Sequence, residues 1–199
     1  MSYTEIFGFD KTGDAYGAAD IQNAFRGGMA IWKYLEEKYL PPYLPEYAKK
    51  IGIKTAEEFE QKTGYKGSRC LSVMEQDAMR EIWDLANSDM VSEVDKICLY
   101  TTFDNCLVKK ENIPKVIEAF KAFDGTTSLK EQADVLAQLY EDENCIAVGW
   151  NQTSVCSDSW INAGGYDEDG EYLPYNCING KEHYWLFNEL NKTEEKKND

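Results

Sequence analysis

The chain of 199 residues is long enough to bury a sizeable core, and 43% hydrophobic residues with 13 Tyr, 8 Phe and 5 Trp exclude a disordered polymer. Twenty-one basic residues against 36 acidic ones give a formal net charge of -15, which disfavours direct contact with nucleic acid or anionic membrane surfaces. No apolar run approaches eighteen residues and the start, MSYTEIFGFD, lacks the basic and apolar segments of a secretory signal, so a soluble cytoplasmic protein is expected.

Ile6, Phe7 and Phe9 precede DKTGD and AYGA, a hairpin pattern in which Gly13 supplies positive φ. Asp10, Thr12 and Asp14 alternate as in a calcium loop. The sixth and twelfth positions, Ala15 and Ile21, are not the required glycine and glutamate, so no metal is assigned. A helix is expected from near Asp20 or Asn23, with Phe25, Met29, Trp32, Leu35 and Tyr39 on its apolar side. The adjacent Gly27 and Gly28 mean either a close backbone approach or a later start. PPYLPE at 41–46 stops that helix. Thr55 with Glu58, and Ser72 with Glu75, form capping boxes for two more helices, the second carrying Met74, Ala78, Ile82 and Leu85.

Residues 96–123 read as the organising stretch. Ile97, Cys98, Leu99 and Tyr100 predict one buried strand and Cys106, Leu107 and Val108 another, antiparallel across a turn at Asp104 and Asn105. Pro114 fits the first turn of a following helix, whose stripe is Ile113, Val116, Ile117, Phe120 and Phe123. Ser128 and Glu131 cap another lined by Leu129, Ala133, Leu136 and Leu139 or Tyr140, and residues 145–149 form a compact apolar strand. Asp167–Gly170 marks a second exposed hairpin, and His183, Tyr184 and Trp185 open a last aromatic element ending at Leu190. The fold expected is α+β: a small, mostly antiparallel mixed sheet with about five amphipathic helices packed against it. It forms one domain over residues 1–191, followed by a charged, frayed tail at 192–199.

Six cysteines could make three bridges, but Cys98, Cys106 and Cys145 fall in predicted buried strands, which favours free thiols. The absence of CxxC and the single histidine leave a zinc site poorly supplied, and no cofactor is implied.

Polar side chains concentrate at 150–160, where Trp150, Asn151, Gln152, Thr153, Ser154, Asp158 and Trp160 are candidate binding residues. Asp158 and His183 with a nearby serine, or Cys156 with His183, would supply a nucleophilic site, although no G-x-S-x-G elbow is present. That set defines the alternative reading, a binder of small polar ligands or nucleotides, or a hydrolase; whether the chain is an enzyme is left open. Charge points elsewhere. Residues 131–180 hold ten carboxylates and no Lys or Arg. Asp167, Glu168, Asp169 and Glu171 then become binding candidates, and the leading expectation is an acidic interaction module, inhibitor-like or immunity-like, docking on a basic protein partner.

Overall fold

The computed structural model describes residues 2–66, 76–152 and 160–195. Strands β1 (Tyr3–Phe9) and β2 (Ala15–Gln22) form the expected hairpin. Asp10 organises its turn by accepting the Thr12 amide at 2.8 Å and the Thr12 hydroxyl at 2.6 Å, and Gly13 sits at φ 92°. Five helices follow: α1 (Gly28–Tyr39), α2 (Glu46–Lys50), α3 (Ala56–Thr63), α4 (Gln76–Ala86) and α5 (Glu93–Tyr100). The remainder is β3 (Cys106–Lys109), α6 (Ile113–Ala122), α7 (Leu129–Glu141), β4 (Ala147–Gln152), β5 (Tyr184–Trp185) and α8 (Leu186–Glu195). The α+β class holds, with eight helices among the described residues rather than about five.

The sheet runs β2-β1-β4-β3-β5, antiparallel except for the β3–β5 pair. Side chains alternate across it. Ile6, Val108, Val148 and Trp150 face the helices and join the large core with Val116 and Phe120 of α6 and Leu136 of α7. Phe7, Phe9, Leu107 and Ala147 face the other way, where Trp160, Tyr175 and Cys177 cover them. The uninterrupted apolar runs in β3 and β4 thus reflect strands covered on both sides.

Three sequence expectations are corrected. Ile97 to Tyr100 is the second half of α5, not a strand, and β3 pairs with β4 and β5 instead. The reason is a cap: Ser92 Oγ accepts the Asp95 amide at 3.2 Å, and acidic Glu93 and Asp95 occupy the first turn. Every side chain from Asp95 to Tyr100 is buried, so the helix shows no polar stripe to reveal its period. Second, α1 begins at Gly28 because β2 continues to Gln22. Ala24 and Phe25 take positive φ in the intervening turn, Phe25 is fully exposed rather than on an apolar stripe, and a Cβ on Gly27 would lie 2.5 Å from Asn23. Third, β4 starts at Ala147 and extends into the polar residues as far as Gln152, because β1 pairs with it along that length.

Pro114 lies in the first turn of α6, and Thr55 caps α3 as expected. The Ser72–Glu75 box lies outside the described residues, as do Met74 and residues 196–199; α8 itself continues through Glu195. Cys98, Cys106, Cys145 and Cys177 are free and buried, with Cys98 on helix α5 and Cys145 just before β4. Burial pushes the Cys106 thiol up to about 12 and the Cys177 thiol to about 11, which keeps both protonated and unreactive at neutral pH. No helix among the described residues is long and apolar enough to cross a membrane.

Candidate functional site

Residues 160–177 cross the face of the sheet that the helices leave bare. They are held at both ends by hydrogen bonds to the backbone. Trp160 Nε1 donates to the Trp150 carbonyl at 2.9 Å, and the Trp160 carbonyl accepts the Tyr175 amide at 2.7 Å. The Tyr175 carbonyl accepts the Ala15 amide at 3.0 Å, and Cys177 donates its amide to Gly13 at 2.8 Å. Trp160 also meets Phe9 and Tyr175 edge-on, at ring separations of 5.7 Å and 5.0 Å. The first hairpin turn is locked to this segment by Asn176, whose Nδ2 donates to the Thr12 carbonyl and to Asp14 Oδ1, both at 2.8 Å.

Between those clamps the chain projects a narrow hairpin, residues 164–173. Gly164 and Leu173 bond as amide and carbonyl at 2.8 Å, Leu173 donates to Gly165 at 2.9 Å, and Asp167 donates to Glu171 at 3.0 Å. A Cβ on Gly164 would sit 2.1 Å from the Pro174 carbonyl oxygen, so only glycine permits this approach. Asp167 shapes the tip: its Oδ1 accepts the Asp169 amide at 2.9 Å and the Glu171 amide at 2.8 Å. Glu168, Asp169 and Glu171 are exposed around it. Below them Tyr166 and Tyr172 pair across the hairpin with rings 4.8 Å apart, yet remain 64% and 58% exposed. Ile161 and Leu173, also exposed, extend the apolar surface.

The predicted site residues separate into three groups. Trp150, Asn151 and Gln152 are buried and engaged within the fold. Trp150 Nε1 donates to Gln132 Oε1 at 3.2 Å, Asn151 Nδ2 to Glu5 at 2.6 Å, and Gln152 Oε1 accepts the Thr4 hydroxyl at 2.9 Å. Trp160 is likewise buried as an anchor. Thr153, Ser154, Cys156 and Asp158 lie outside the described residues. Asp167, Glu168, Asp169 and Glu171 come together on the hairpin. The acidic stretch does not make one face: exposed Glu131, Asp134 and Glu141 belong to α7, on the helical side of the sheet, whereas the hairpin springs from the opposite side.

His183 packs edge-on against Trp185 at 4.9 Å, and its Nδ1 lies 2.8 Å from the Tyr175 hydroxyl. That hydroxyl also accepts the Glu182 amide at 3.1 Å. Burial holds the His183 pKa below its ordinary value. The unfolded chain therefore binds a proton at this residue before the folded one does. Stability falls as pH drops from about 6.5 towards the lowered folded value, because unfolding takes up a proton in that window. Urea midpoints measured between pH 7.5 and about 5 should show this loss, and His183→Gln should remove that part of the slope.

Two features escaped sequence reading. The tyrosine pair carries only a weak signal, Tyr-x₅-Tyr around an acidic turn. The buried Asp95 cluster was signalled by Ser92-x-x-Asp95, a helix-start pattern lying directly before the apolar run. Comparison of the chain with protein-family models, with curated proteins and with solved structures finds no match in any of the three.

Proposed function

We propose that this chain is an acidic interaction module, in the manner of an inhibitor or immunity protein, that occludes a basic surface of a partner protein in the cytoplasm. The observation that carries the reading is the 164–173 hairpin, on which two exposed, paired tyrosines flank the turn that carries Glu168, Asp169 and Glu171. Tyrosine contributes contact area at low entropic cost, and surrounding carboxylates raise the encounter rate with a positive surface. Backbone bonds hold the tip before any partner arrives, which lowers the ordering cost of association. The same charge disfavours nucleic acid as the direct partner.

The test is capture of host-extract proteins on the immobilised chain, followed by kinetics with the purified partner. Glu168→Gln, Asp169→Asn and Glu171→Gln together should slow association about tenfold and flatten its salt dependence. Tyr166→Ala should instead speed dissociation, weakening binding about thirtyfold if the ring is a buried anchor. Binding to a basic partner that ignores both changes would sink the proposal.

A further inference from the structure

Phe25 is fully exposed, yet its backbone sits at φ 67°, directly after Ala24 at φ 43°, a conformation that residues other than glycine rarely adopt. A ring lying wholly in water does nothing to offset that strain. The turn is nevertheless pinned from several sides. Arg26 donates its amide to the Asn23 carbonyl at 2.7 Å, and the Arg26 carbonyl accepts the Ser128 amide at 2.9 Å. Buried Asn23 accepts the Thr4 hydroxyl at 2.7 Å. A strained turn, fixed by its neighbours and presenting an exposed aromatic ring, has the form of a binding anchor.

A surface to receive it lies at the other end of α1. Leu40, Pro41, Pro42 and Tyr43 wall a cleft of about 370 Å³ between the end of α1 and the start of α3. Pro41 and Pro42 are exposed; Glu57 and Glu60 also line the cleft, but are exposed enough to keep their water. The 12 residues of α1 put about 18 Å between the Phe25 turn and this wall, so the two do not meet within one chain.

Between them, one side of α1 reads Met29, Lys33, Glu37 and, past the helix cap, Pro41, each four residues after the last. Reversed, that order is complementary to itself. When two copies of α1 lie antiparallel about a two-fold axis between positions 33 and 37, Lys33 faces the second copy's Glu37, Met29 faces its Pro41, and Phe25 reaches its wall. Within one chain Lys33 and Glu37 are 3.9 Å apart with both side chains more than half exposed, a weak pair that changes partner at little cost.

We infer that two copies of this chain associate through α1, each placing Phe25 against the Leu40–Tyr43 wall of the other. The contact is isologous, so it closes at the dimer. Apolar burial drives it against the mutual repulsion of two chains of formal charge -15. Added salt therefore tightens the dimer by screening, the reverse of its effect on an acidic hairpin docked to a basic surface. Helix α1 packs on the helical side of the sheet and the hairpin springs from the other, so the two contacts do not compete.

The experiment is sedimentation equilibrium of the full chain in about 0.5 M salt, where the Debye length is about 4 Å. A dimer with a Kd of about 100 µM is expected, weakened tenfold or more by Phe25→Ala. An unchanged urea midpoint for Phe25→Ala at low micromolar concentration shows that the fold is not at stake. In the ¹⁵N-labelled chain the amides of Tyr43 and Ala56 should shift with concentration, and those shifts should vanish in Phe25→Ala. The hairpin triple variant should dimerise as the native chain does. A chain that stays monomeric at about 1 mM, or a dimer that survives Phe25→Ala or loosens as salt is added, overturns the proposal and leaves the hairpin reading standing.

Discussion

Trp150→Ala is expected to lower the unfolding free energy by about 4 kcal/mol, the cost of an unfilled core cavity and a stranded acceptor. Trp150 is 3% exposed on β4, the strand in the middle of the sheet order. Its ring meets Phe120 of α6 edge-on at 6.2 Å, so truncation removes contact between the sheet and the helical layer. Gln132 Oε1 loses the indole donor as well. Trp150→Phe keeps most of the apolar area and should cost about 1–2 kcal/mol, separating the hydrogen bond and volume from the wholesale cavity. Urea unfolding at neutral pH gives both numbers, with an unchanged m-value marking an undisturbed unfolded state. A stability loss below 1 kcal/mol accompanied by loss of partner affinity would mean that Trp150 serves the surface after all.

Asp95→Ala should cost about 3 kcal/mol, because it breaks the polar joint between α1 and α5. The Asp95 side chain is 3% exposed, and its Oδ2 accepts Lys38 Nζ at 2.7 Å, the Tyr39 hydroxyl at 2.5 Å and Ser92 Oγ at 2.9 Å. Truncation leaves the Tyr39 and Ser92 hydroxyls without this acceptor. The Lys38 side chain is 40% exposed and regains water, which places the expected cost at the lower end for a broken buried pair. Burial alone would raise the carboxyl's pKa, but the hydrogen bonds from Lys38, Tyr39 and Ser92 outweigh it and hold the group below its ordinary value. The sign of the pH effect follows. The folded state keeps Asp95 ionised at acidities where the unfolded chain has already taken up a proton, so this contribution is complete above about pH 4 and is lost as pH falls through the folded value. Acid titration of stability should show that limb in the native chain and a shallower one in Asp95→Ala.

Elements bounded by their own chemistry were legible in the residues. The 10–14 turn, the Thr55 cap, the proline stop at 41–42, the Pro114 start and the 167–170 turn each depend on side chains bonding neighbouring backbone or on fixed φ. Those interactions are local, so their signal is local. The acidic hairpin tip was legible for the same reason. Its tyrosine pair was harder to see, since the pairing depends on the register across the hairpin.

The misread stretch at 97–100 shows the limit from the other side. A helix buried all round and a strand covered on both faces present the same unbroken apolar run, and periodicity vanishes when no side meets water. The Ser92 cap was the one local clue, and it lay outside the run. Likewise, hydrogen-bonding residues in Trp150-Asn151-Gln152 look like a binding loop until β1 pairs alongside and supplies Thr4 and Glu5 as partners. What the amino-acid order determined alone was therefore the α+β composition, the 10–14 and 167–170 turns, the Thr55 cap and the strong negative charge. Tertiary structure decided which of those polar groups are spent inside the fold and which remain outside. A polar side chain's availability is set by partners far away in sequence, and only the folded chain brings them within hydrogen-bonding distance.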